Sequence, residues 1–161
     1  MKLQPLPYKT YMRMIRNSIG SRMFRNSYMK IGHKTIDILE DGNLSCAFYV
    51  SSLLLLFPEL HLITTQHGTV AGALHDMKKS GWRETKTPRP GAVILWEKKS
   101  YADNYAKSDH QHLGFYLGEK KAISNSNKQR MPALHNLTFG EGGTKKFRKI
   151  EKFFWNKKLK D

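Results

Sequence analysis

The single cysteine of the chain, Cys46, stands where a polar turn meets a long apolar run in "DGNLSCAFYVSSLLLLFPE", residues 41–59. A thiol becomes a nucleophile when its thiolate is stabilised. The first turn of a helix does this through unpaired backbone N–H groups and the positive end of the helix dipole. The residues around Cys46 predict that address, with Ser45 placed to cap a helix over 46–57 and Pro58 to stop it. A thiol so placed is expected to have a pKa below the roughly 8.5 of a free cysteine. The competing reading is core filling, because free cysteines are among the most buried residue types.

A working thiol also needs a base, and the chain has seven histidines. His33 falls in a predicted hairpin turn, His61 and His67 in a loop, and His75 on the polar side of a helix. His110 and His135 are the alternatives should His112 not be the base. His112 opens "HLGFYLG", a predicted strand in which His112, Gly114, Tyr116 and Gly118 share one face and Leu113, Phe115 and Leu117 the other. A glycine two residues on leaves the imidazole room to approach a helix end.

The elements that must hold these groups can be read from periodicity. Residues 8–19 form a basic amphipathic helix, with Tyr11, Met14, Ile15, Ser18 and Ile19 on one stripe and Arg13 and Arg16 off it. Two strands flank Gly32-His33 in "RMFRNSYMKIGHKTIDIL". After the helix over 46–57, a second helix over about 69–80 is framed by Thr69 and Gly81. "RPGAVILWEKK" reads as a turn and a strand, and "HQHLGFYLGEKKAISNSN" as a strand, a turn near Gly118-Glu119-Lys120 and a returning strand. Phe147, Ile150, Phe153 and Phe154 suit an edge or closing strand. A hairpin, helices and then an antiparallel sheet give an α+β class. The 161 residues fit one domain, 1–161, with residues 1–20 as its basic N-terminal helix and 21–161 as its body.

"GNLSCAFYVSSLL", "RPGAVILWEKK" and "HLGFYLGEKKAISNS" resemble, in this order, the nucleophile helix, the Pro-Gly-led strand and the histidine strand with its partner in the NlpC-type papain-like cysteine peptidases and amidases. The resemblance spans about residues 40 to 127. It implies a papain-like fold, with the nucleophile helix packed on an antiparallel sheet. It also implies attack by Cys46 on an amide carbonyl, with His112 as base. A polar residue about a dozen positions past the histidine then orients the ring. Asn125 is favoured for that role because an amide oxygen accepts an imidazole N–H firmly, and Ser124, at the matching spacing, is the alternative. The implied substrate is a cell-wall peptide or a related amide. The chain departs from the family pattern at Ser45, where the family commonly has Asp, at Ala47-Phe48, where it has Ser-Gly, and at Ala92, where it has Asp.

The formal charge of +15, from 28 Lys and Arg against 13 Asp and Glu, is carried at both ends of the chain. Such a field draws a protein toward polyanions, whether a wall polymer or nucleic acid. A non-catalytic basic binding module on the same fold is therefore the alternative function. No cofactor is expected, since "FGEGGTKK" lacks the spacing of a phosphate loop and reads as a turn. A metal site built on "DHQH", residues 109–112, with Cys46 or His135 has no paired-cysteine or HExxH spacing behind it. "CAFYVSSLLLLF" is about twelve residues where a membrane span needs roughly twenty. The N-terminus, with two prolines and two arginines among its first eighteen residues, lacks the apolar core of an export signal, so the default location is the cytoplasm.

Overall fold

A computed structural model of the chain describes residues 3–99 and 110–161. Among them lie three α-helices and eight strands, and six of the strands form one antiparallel sheet, so the class is α+β. The first helix, α1 (Pro7–Asn17), opens on a proline whose missing N–H costs nothing there. Its Tyr11 and Ile15 are fully buried, while Arg13 and Arg16 face out. Ile19, expected on the buried stripe, lies past the helix end and is exposed. Tyr11 donates to the Gly91 carbonyl at 2.8 Å, tying the helix to the sheet. Gly91 itself has φ of +91°, and a Cβ there would stand 2.8 Å from the Tyr11 ring.

The expected hairpin is β1 (Tyr28–Ile31) and β2 (Lys34–Asp37), joined through Gly32 at φ of +59°. The expected second helix is α3 (Val70–Lys79), where Thr69 accepts from the Gly72 N–H and Gly81 follows at φ of +100°. The helix carrying the thiol, α2 (Cys46–Leu54), ends three residues before the expected position 57. Proline disfavours αR geometry in the residue before it, and Phe57 adopts φ of −121° and ψ of 64° ahead of the 3₁₀ turn Pro58–Leu60. α2 is apolar nearly all round, and it is accordingly enclosed. Ala47, Tyr49, Val50, Leu53 and Leu54 are buried, and Ser51 satisfies its hydroxyl on the Ala47 carbonyl at 2.8 Å.

The sheet runs β3 (Trp82–Glu84), β8 (Ile150–Asn156), β4 (Val93–Lys99), β5 (His110–Gly118), β6 (Lys121–Ser126) and β7 (Met131–Asn136), with every neighbour antiparallel. β8 lies between β3 and β4, so of the two expectations for the C-terminal strand, an edge or a closing strand, the edge is excluded. Val93, Leu95, Leu113, Phe115 and Ile123 meet α1, α2 and α3 on one face. On the other face Ile94, Trp96 and Ala122 gather Tyr116, Leu137, Phe139, Ile150 and Phe153. β4 is covered on both sides, which is why it reads as the unbroken apolar run "VILW". Among the described residues, no helix is long and apolar enough to cross a membrane.

Asp76 of α3 holds the loop that leads into that helix. Its carboxylate accepts from the Thr64 and Thr65 N–H groups and the Thr64 hydroxyl, and meets His67 Nε2 at 2.8 Å. Burial by itself would raise this carboxyl, but the bonds from His67, Thr64 and Thr65 outweigh it and lower its pKa to about 2. A carboxylate held below its usual 3.8 contributes stability that is complete above that value and lost as pH falls toward 2. Asp76→Asn is expected to lower stability at pH 7 by about 2 kcal/mol and to flatten the acid limb of the stability curve, read from urea midpoints across pH. An unchanged acid limb would show that Asp76 does not carry this stability.

Candidate active site

Cys46 is the first residue of α2, and it is half-buried. Ser45 occupies the cap position, yet its hydroxyl makes no cap bond and is buried without a partner, contrary to the expected capping. The N–H groups of the first turn are thus left to the thiol. Burial pushes the thiol pKa up, and the Leu113 N–H, the Arg148 guanidinium and the N–H groups of Ala47 and Cys46 pull against it without cancelling it. The expectation of an acidified thiol is therefore corrected: the helix start helps, but desolvation wins.

His112 is placed by alternation. Leu113 and Phe115 turn toward α2, so His112 belongs to the opposite face with its cross-strand neighbour Trp96. It nonetheless lines the same cavity as Cys46 and Ala47 at the helix start. Cys46, Ala47, Gly68, Lys98, His110 and His112 contribute to the wall of one cavity of about 540 Å³. The thiol and the ring share this wall without a hydrogen bond between them. His112 is buried, at 4% exposure, and its pKa lies well below the ordinary value because of burial, helped by the charge of Arg148 and the neighbouring His135. Both members of the pair are therefore neutral at rest near pH 7.

Of the two candidates for the orienting group, Ser124 is the one that touches the ring. Its hydroxyl lies 2.9 Å from His112 Nε2, because Ser124 is the partner of Gly114 across β5 and β6 and points to the same face as His112. Asn125, favoured on chemistry, points the other way by the same alternation. Its amide donates to the Gly42 carbonyl at 2.7 Å and so ties down the loop that delivers Cys46. Arg130 supports the same loop through the Glu40 carbonyl.

Two further groups join the pair: the sequence weighs His135 only as a metal ligand or an alternative base, and it does not single out Arg148. His135 on β7 lies 2.8 Å from the Ser124 hydroxyl and stacks on Phe139 with ring centroids 3.9 Å apart. Arg148, at 4% exposure, donates to the Glu97 and His110 carbonyls and brings its charge near both Cys46 and His112. A second cavity of about 520 Å³ shares His112 and Asn127 with the first and is lined by His135 together with Lys99, Lys145, Lys146 and Arg148, and, among the described residues, by no acidic one. Among the described residues, no group of three His, Cys, Asp or Glu side chains is gathered to hold a metal ion; Asp109 of the "DHQH" stretch lies outside them. No protein-family model matches the chain, and no curated protein sequence matches it.

Proposed function

We propose that this chain is a thiol hydrolase of amide bonds, of papain-like NlpC type, acting on a cell-wall peptide or a related acidic amide. The observation that carries the reading is the meeting of Cys46, at an uncapped helix start, with His112 at the wall of one cavity, while Ser124 holds the far nitrogen of the ring. Few structural roles require that combination. In the reaction the thiol proton passes to His112 as sulfur bonds to the amide carbonyl carbon. The oxyanion so formed meets the N–H of Cys46 at the helix start. The imidazolium then returns its proton to the departing amine as the C–N bond breaks, leaving a thioester that water hydrolyses with His112 again as base. The four cations of the neighbouring cavity support a substrate that carries carboxylates.

The test is incubation with peptides released from bacterial cell walls, followed by detection of new amino groups, alongside labelling by a peptide vinyl sulfone. The expected result is turnover, with the label on Cys46 and competition by the peptides. The alternative, a basic binding module, is favoured by the +15 charge. It would become the better reading if neither turnover nor labelling occurred while heparin retention fell steeply with salt.

A further inference from the structure

His112 is linked to His135 through Ser124, and one backbone carbonyl fixes the direction of the whole chain of hydrogen bonds. His135 Nδ1 lies 2.8 Å from the Asn136 carbonyl oxygen, which can only accept, so Nδ1 carries the proton. A neutral imidazole protonated there has a bare Nε2, and that nitrogen lies 2.8 Å from the Ser124 hydroxyl. Ser124 therefore gives its single proton to His135. What remains at its oxygen toward His112 is lone pairs, and at 2.9 Å His112 Nε2 must be the donor. His112 is thereby left with a bare Nδ1, the nitrogen a general base needs.

We propose that His135 is a positioning residue of the site, acting through Ser124 to hold His112 in the tautomer whose Nδ1 is free to take the thiol proton. The inference rests on the hydrolase reading for its purpose, but not for its geometry. Without His135 the Ser124 hydroxyl has no acceptor on that side and can rotate to donate to His112 Nε2, which moves the ring proton to Nδ1 and blocks the base. Burial keeps His135 neutral by lowering its pKa to about 4, so the direction of the chain holds at neutral pH. Stacking on Phe139 fixes the plane of the ring. The protons beyond His112 Nδ1 do not move during the reaction; they are held so that one does not sit in the wrong place.

Ring ¹⁵N shifts of the histidine-labelled protein at pH 7 separate the two tautomers, since a protonated and a bare imidazole nitrogen resonate far apart. His112 is expected to show a protonated Nε2 and a bare Nδ1 in the wild type. In His135→Ala the Nδ1-protonated form should gain population, and alkylation of Cys46 by iodoacetamide should slow about tenfold. His135→Gln, which offers Ser124 an amide oxygen, should restore both. If hydrolysis is measurable, His135→Ala should lower kcat and leave KM unchanged. A protonated Nδ1 in the wild type, or a His135→Ala protein with the wild-type tautomer and alkylation rate, would overturn the proposal. Should His135→Ala not fold, the wild-type shifts and the His135→Gln rates still decide it. Wild-type protein with the expected shifts but no amide turnover would support the relay while removing the hydrolase reading.

Discussion

Cys46→Ala is expected to abolish amide hydrolysis, and His112→Ala to lower it by about a thousandfold or more while the fold persists. The size of the second effect follows from the resting charges. Burial raises the thiol and lowers the imidazole, so the pair does not rest as thiolate and imidazolium. A preformed thiolate would keep much of its reactivity without the ring. A neutral thiol cannot, because the proton must leave as the carbon–sulfur bond forms. The double variant should be little worse than either single one, as expected of groups that act as a unit. The pH profile carries the same signature. A base whose pKa lies below 6.5 stays competent as pH falls through that value, so kcat/KM should hold level below pH 6.5 and drop only further into the acid. A profile that fell with a midpoint near 6.5 would contradict the buried, neutral His112. Full activity in His112→Ala would remove it from the site.

The elements that position the pair are legible in the sequence because each is signalled by local rules. Thr69 and Gly81 frame α3 through cap chemistry, and the alternation of "HLGFYLG" is enough by itself to put His112 and Leu113 on opposite faces. Alternation also decides between Ser124 and Asn125, since only every second residue of β6 shares a face with His112. Choosing by side-chain chemistry instead favours Asn125, whose amide serves the Gly42 carbonyl and not the ring. β7 is less visible: it contains Pro132, which argues against a strand, and it tolerates that proline because it forms the sheet edge. With β7 unread, His135 has no face to belong to. Arg148 is masked differently. It lies in the basic stretch "KKFRKIEK", and nothing local distinguishes the one arginine whose guanidinium is buried on backbone carbonyls from the solvated lysines beside it. The acidity of Cys46 is overestimated from sequence because a helix start predicts the favourable dipole. The opposing desolvation comes from burial of the thiol in the folded chain, which the local sequence around Cys46 does not display.

Gly114→Ala is expected to cost about 3 kcal/mol and to disconnect the site without touching any of its polar groups. Gly114 sits between His112 and Tyr116 on the face that carries the ring, directly across from Ser124. A Cβ at this position would stand 2.5 Å from the Ile123 carbonyl oxygen, 2.7 Å from the Ser124 Cβ and 3.0 Å from the Trp96 ring. Two of these neighbours cannot yield cheaply. The carbonyl belongs to β6, the partner strand, and Trp96 is fully buried with its indole N–H bound to the Leu137 carbonyl. The strain is relieved only by parting β5 from β6, and that displacement acts directly on the 2.9 Å contact between His112 and Ser124. Stability and ring geometry should therefore fail together, seen as a lower urea midpoint and as loss of the single His112 tautomer in ring ¹⁵N spectra. Gly142→Ala is the control, because nothing lies within 4 Å of a Cβ there and its φ is not in the left-handed region. That variant should be neutral or slightly stabilising through the reduced entropy of the unfolded chain. A Gly114→Ala protein with an unchanged midpoint would mean that the two strands are not as closely paired at this point as the register requires.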